Sequence, residues 1–263
     1  MDAYYEAPGG LLPLEWLDLP ENDHRGMQVS AKYKIDPARL PSIARVEEGR
    51  KAGKRYLRAD GLLDVHAGSR YLVVSQRFKD LVEEFEPGVH FFKNVEIQML
   101  DGKPFDGQYY IFSAQQGADF LLTEMSGIKW WYHSDDPSNI GEYGPPHLQH
   151  IGPLRRDILR KNYKSSESKI FISKPQVAGM HIYIGWRARI GTGVFFSDAF
   201  YEAFVARKMR YLQVACYCTE VDVPWDEEEN FGPALDWLRK HPATSEALAA
   251  EWLRTWLDRT PQL

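Results

Sequence analysis

Cysteine is almost missing from this chain. Two occur in 263 residues, Cys216 and Cys218, with Tyr217 between them. Residues two apart on a strand point the same way, which makes them poor disulfide partners, and the spacing is not that of a CxxC redox motif. Buried free thiols are the expectation, and these suit a reducing compartment. Long apolar runs are missing too. No stretch approaches the roughly 20 residues a membrane helix needs. The opening Met1-Asp2-Ala3-Tyr4-Tyr5-Glu6 has neither the basic nor the apolar region of a signal peptide. A cytoplasmic location is therefore expected, with no membrane partner. Excess positive charge is absent as well: 32 Lys and Arg stand against 37 Asp and Glu, for a net charge of −5 and a pI near 5.9. That balance argues against general affinity for nucleic acid or anionic lipid, and it allows a basic partner.

Catalytic signatures are sparse. Gly49-Arg50-Lys51-Ala52-Gly53-Lys54 has too few residues between its glycines for a phosphate loop, and Arg55 follows where Ser or Thr belongs. It reads as a solvated basic face. There is no Gly-x-Ser-x-Gly nucleophile elbow. His147 and His150 could share a helical face, but no Cys or carboxylate pattern completes a zinc site, and Pro145-Pro146 before them argue for a loop. Asp135-Asp136 reads as turn chemistry. His90 and His181 lie in strand patterns and read as hydrogen-bonded structural histidines. Gly191-Thr192-Gly193 reads as a hairpin turn. The sequence thus nominates no catalytic residue, no metal ligand and no cofactor site.

What the chain does contain is repetition. Tyr71-Leu72-Val73-Val74-Ser75 leads into a helical pattern carried by Phe78, Leu81 and Val82. Gly193-Val194-Phe195-Phe196-Ser197 leads into another, carried by Phe200, Ala203 and Phe204. Ser75 and Ser197 sit where a helix N-cap belongs, with a side-chain oxygen able to accept an orphan backbone N–H. Each copy then enters a second apolar run, Val89 to Leu100 and Tyr211 to Val221. Two similar strand–Ser–helix–strand units are the expectation.

Around them, Leu11, Leu12, Leu14, Trp16 and Leu17 form an apolar arm, and Met27 to Ile35 alternates as a strand would. Residues 129–150 read as a long loop. Phe231, Leu235 and Leu238 mark a short helix. Leu248, Trp252, Leu253, Trp256 and Leu257 fall on one helical face and are expected to pack against the body. With 44% hydrophobic residues, including 8 Trp, 14 Tyr and 13 Phe, the chain can fill a sizeable core. The fold class is α+β: mixed and antiparallel sheets, two similar strand–helix–strand units and C-terminal helices. An N-terminal half of 1–145 and a C-terminal half of 146–263 are expected to form one compact body.

The first copy carries more detail: the stop Glu86-Pro87-Gly88, the strand Val89-His90-Phe91-Phe92, the turn Asp101-Gly102, and Tyr109-Tyr110-Ile111-Phe112. This order resembles a large bacterial family of immunity proteins from polymorphic toxin systems. Later, His181-Ile182-Tyr183 through Val214 is similar to that family's second strand, Ser-led helix and closing strand. The resemblance covers roughly residues 65–220, and the Trp130-to-His150 stretch has no counterpart in it. It implies a non-enzymatic protein without cofactor that binds and neutralises a cognate secreted antibacterial toxin, such as a type VI effector.

Two stretches suit such a partner. Trp131 and Tyr132 belong to an aromatic run at the mouth of the 129–150 loop, and aromatics with polar tips are favoured interface anchors. Against this, Trp130 or Trp131 could face the core. Asp226, Glu227, Glu228 and Glu229 could meet a basic toxin surface, although such a run also suits a solvated linker or a helix start. A different class of protein, a small enzyme or ligand-binding protein with the 129–150 loop as a lid, is the alternative.

Overall fold

The computed structural model describes residues 2–6, 14–18, 37–46, 62–67, 72–99, 101–131, 147–150, 170–185, 194–210 and 212–232. The fold is α+β, built on two six-stranded sheets and a separate strand pair. The expected strand at 27–35, the turn at 191–193, the basic run at 50–55 and the apolar face at 248–257 lie outside the described residues.

Strands β2 (Leu14–Trp16), β3 (Ile43–Val46), β4 (Val65–Ala67), β5 (Leu72–Ser75), β6 (Phe91–Gln98) and β7 (Tyr109–Ser113) make the first sheet, in the order β2-β3-β6-β7-β5-β4. Helix α1 (Gln76–Phe85) joins β5 to β6. The second sheet has β11 (Ile170–Ser173), β12 (Ile182–Gly185), β13 (Phe195–Phe196) and β14 (Gln213–Val221). It also takes β1 (Asp2–Glu6) and β8 (Gly117–Ala118), in the order β11-β14-β1-β13-β12-β8. A short helix α2 (Lys174–Val177) follows β11, and α3 (Asp198–Ala206) joins β13 to β14.

The repetition read from the sequence is a repetition of topology. Five neighbouring positions match, β3-β6-β7-β5-β4 against β11-β14-β1-β13-β12. Their directions match as well: β3 is parallel to β6 and β11 to β14, while every other adjacent pair is antiparallel. In both copies the helix-flanking strands, β5 with β6 and β13 with β14, are separated by one antiparallel strand.

The helices start where the serines are. Ser75 Oγ accepts from the Phe78 N–H at 3.3 Å, and Ser197 Oγ from the Phe200 N–H at 3.2 Å. Gly88 in the Glu86-Pro87-Gly88 stop has φ +71°, a conformation that costs glycine little. The helix faces nominated by spacing are the buried ones: Phe78, Leu81 and Val82 on α1, Phe200 and Phe204 on α3. Phe78 packs edge-on to Phe112, Phe196, Phe200 and Phe204, with ring centroids 5.7 to 6.4 Å apart. One core is therefore shared by the inner faces of both sheets. Cys218, on β14, is buried and outside any disulfide.

Two regions differ from the sequence reading. The apolar arm at 11–17 contains strand β2, and Asp2–Glu6 before it form β1, in the other sheet. Residues 129–150 are not all loop. Strands β9 (Ile128–Trp131) and β10 (His147–His150) pair antiparallel, aligning Trp131 with His147 and Trp130 with Leu148. Ile and Trp favour strand, and Pro145-Pro146 end just before β10 begins, so the prolines mark its edge.

Candidate functional site

The seam between the two copies holds the buried side chains of Asp64, Ser75, Glu86 and His90. Asp64 immediately precedes β4 and His181 immediately precedes β12, equivalent places in the two units. The Asp64 carbonyl accepts from the Ser75 N–H and the His181 carbonyl from the Ser197 N–H, both at 2.9 Å. The side chains repeat the pairing: Ser75 Oγ donates to Asp64 Oδ1 at 2.7 Å, and Ser197 Oγ lies 2.8 Å from His181 Nδ1. Each latch is then gripped by the other copy. The Arg210 N–H, after α3, donates to Asp64 Oδ2 at 3.0 Å. The His181 and Ile182 N–H groups donate to Glu86 Oε1, after α1, at 2.5 and 3.3 Å. At the helix surface Arg77 donates to the Arg207 carbonyl, and Arg207 pairs with Glu84.

Glu86 is the most heavily engaged group. Its other oxygen takes His90 Nε2 at 2.5 Å, and Gln116 Nε2 donates to Oε1. The Gln115 N–H donates to His90 Nδ1 at 3.2 Å, which leaves Nε2 as the donor to the carboxylate. Burial alone would push the Glu86 carboxyl up. The hydrogen bonds from His90 and from the backbone N–H groups of His181 and Ile182 outweigh it and hold the carboxyl below the usual carboxylate range. His90 and His181 are thus hydrogen-bonded within the fold, as their strand positions implied. The Ser197–His181 pair has the composition of a nucleophile and its base. However, the serine oxygen caps Phe200, and its counterpart in the first copy is a serine on an aspartate.

His66, on β4, is different. It is 3% exposed, and among the described residues neither ring nitrogen has a well-formed hydrogen bond. Burial pushes it down to about 4, and the neighbouring Leu63 carbonyl offsets this only in part. That carbonyl already receives the Tyr109 hydroxyl at 3.0 Å, whose own pKa is raised by burial and by the Asp64 charge.

Of the two nominated partner-binding stretches, the acidic one lies against segment 120–127. Asp226 caps a helix described over 227–232: its Oδ1 accepts from the Glu229 N–H at 2.8 Å. Asp226 and Glu229 stand in the D-x-x-E spacing of a capping box, a signal present in the sequence. Asp226, Glu227, Glu228 and Glu229 are all exposed. Behind them Asn230 is buried, and its Oδ1 accepts from the N–H and hydroxyl of Thr123 at 2.8 and 3.2 Å. Trp225 Nε1 donates to the Leu121 carbonyl at 3.2 Å. Segments 120–127 and 225–231 are therefore stitched together, and β9 begins at Ile128, directly after the first of them. Met125 (45% exposed) and Val223 (36%) are the large apolar side chains open to solvent here. Neither is visible as an interface residue in the sequence, because the contacts that join their segments, Thr123 with Asn230 and Leu121 with Trp225, link distant parts of the chain. For Trp131 the backbone is described, in β9; Tyr132 lies outside the described residues.

Among the described residues no three His, Cys, Asp or Glu side chains group so as to hold a metal ion, and no helix is long and apolar enough to cross a membrane. No curated protein matches the chain. A protein-family model, that of an immunity protein family (Imm11), matches residues 11–214. The fold and its latches thus belong to an immunity protein, one that implies a toxin partner in general terms. This chain belongs to the Imm11 immunity protein family.

Proposed function

We propose that the chain neutralises one cognate secreted antibacterial toxin, of the polymorphic or type VI kind, by forming a stoichiometric complex in the cytoplasm that occludes the toxin's active site. The observation that carries this reading is the family match across residues 11–214. The seam supports it, because Ser75, Asp64, Glu86, His90, His181 and Ser197 are all engaged in hydrogen bonds that build the fold, within each copy and across to the other. The proposed contact surface is the end where 120–127 meets 225–231. Met125 and Val223 would supply apolar area, Trp131 and Tyr132 aromatic anchors, and Asp226, Glu227, Glu228 and Glu229 an acidic border that steers a basic toxin surface.

The test is to express the toxic domain encoded beside this chain with and without it, and to measure binding of the purified pair. Survival with a 1:1 complex is expected. Reversing Glu227, Glu228 and Glu229 to lysine slows association about tenfold or more at low salt and leaves dissociation nearly unchanged. Survival without a complex favours an enzyme that reverses the damage. A complex indifferent to Met125→Ala, Trp131→Ala and the lysine reversal moves the interface elsewhere.

A further inference from the structure

The first sheet takes its five matched strands from one continuous stretch, residues 43–113. The second does not. Residues 170–221 supply four of the five matched positions, and the central one is filled by β1, from the other end of the chain. In the first copy the same position belongs to β7, which follows β6 through the Asp101-Gly102 turn.

Strand β1 is antiparallel to both of its neighbours. It aligns Asp2 with Cys218, Tyr4 with Cys216 and Glu6 with Gln213 on one side, and Ala3 with Phe196 and Tyr4 with Phe195 on the other. Without it, β13 and β14 would face each other across about twice the usual 4.7–4.9 Å strand spacing, too far to bond directly. Their facing N–H and C=O groups would form two unpaired edges. The walls of this gap have packing of their own. Ile170, Ile172, Val177, Tyr183, Phe195 and Cys218 belong to one buried cluster. Strand β11, parallel to β14, is held on its far side by Phe120 and Leu122 through backbone bonds to Ser173 and Phe171 at 2.7 and 3.0 Å.

We propose that the gap between β13 and β14 is a strand-acceptor site, and that residues 2–6 occupy it as a bound peptide. Recognition is by the main-chain ladder on both sides and not by chain continuity. The ligand class is an extended segment, without proline at its centre, running antiparallel to both walls. This goes beyond toxin binding and does not depend on it.

The test uses the full chain with a protease site placed between residues 7 and 13, cut after folding. The N-terminal fragment is expected to co-elute with the body. Excess fluorescent peptide of residues 1–7 then replaces it, whereas the same peptide with Tyr4→Pro binds at least about tenfold more weakly, because proline cannot donate to the ladder. A dimer that exchanges residues 2–6 between two copies, seen as a doubled mass, supports the same slot. Release of the fragment from a folded body that takes up no peptide overturns the proposal. So does unfolding of the cut body that excess peptide does not reverse. In the uncut chain, Tyr4→Pro is expected to lower the unfolding midpoint, and an unchanged midpoint overturns the proposal independently of the cutting experiment.

Discussion

Replacing Glu86 with glutamine removes a charge that His90, Gln116 and two backbone N–H groups all address. The amide keeps the volume but turns one acceptor oxygen into a donor facing donors. A loss of about 2–4 kcal/mol is expected, read from urea unfolding at pH 7. The carboxyl is held below its ordinary value in the folded chain, so its contribution is present above the unfolded pKa and disappears as pH falls through the folded one. Wild type and Glu86→Gln should therefore begin to converge in stability as pH falls below the 4.5 of a free glutamate. A difference that stays constant down to pH 3 would show that the amide disrupts packing and not charge. His66 acts in a higher window. Its folded value of about 4 lies below the 6.5 of a free histidine. The unfolded chain binds the proton first, so stability falls as pH drops from 6.5 toward 4, by up to about 3 kcal/mol. His66→Leu should flatten that part of the pH profile. An equally steep profile in the variant would assign the acid loss to other groups.

The two helix caps are alike in geometry and unlike in their dependence on it. Ser75→Ala removes the cap and also strips Asp64 Oδ1, on a side chain only 8% exposed as a whole residue, of its donor. Ser197→Ala removes the cap but leaves His181, which is half-buried and can turn to water. Cap loss alone costs about 0.5–2 kcal/mol, so Ser75→Ala is expected to cost at least about 1 kcal/mol more than Ser197→Ala. Equal midpoints for the two variants would mean that Asp64 finds another donor. Both caps were legible in the sequence because a cap is a local event: serine, a helical apolar pattern and an apolar run before it lie within a dozen residues. The acidic start of the helix at 227–232 was legible for the same reason. Strand β1 was not, since five residues of mixed polarity carry no period and their pairing lies with Gln213 to Cys218, at the far end of the chain. The joining of segment 120–127 to 225–231, through Thr123 and Asn230, was hidden in the same way. Glu86 and His90 showed themselves only as a helix stop and a strand histidine. Their role depends on His181, whose partnership no spacing encodes.

At the scale of the molecule, the shared core decides how the chain unfolds. Val65, Val74, Phe78 and Phe112 come from the first copy, and Ile182, Phe196, Phe200 and Phe204 from the second, yet they form one buried cluster. The latches cross in both directions, Asp64 to Arg210 and His181 to Glu86. Opening one copy would expose the apolar face of the other and strip Asp64 and Glu86 of the donors that reach them across the seam. The halves are therefore expected to unfold as one cooperative unit. Phe78 touches both copies and is fully buried, so Phe78→Ala should cost about 3–5 kcal/mol. That loss should appear equally in both sheets. Hydrogen exchange is the measurement that separates them. Amides of β5 and β7 and amides of β12 and β14 should report the same opening free energy in wild type, and should drop by the same amount in Phe78→Ala. If the first sheet kept its protection while the second exchanged freely, the two copies would be independent bodies, and a toxin could engage one of them without feeling the stability of the other.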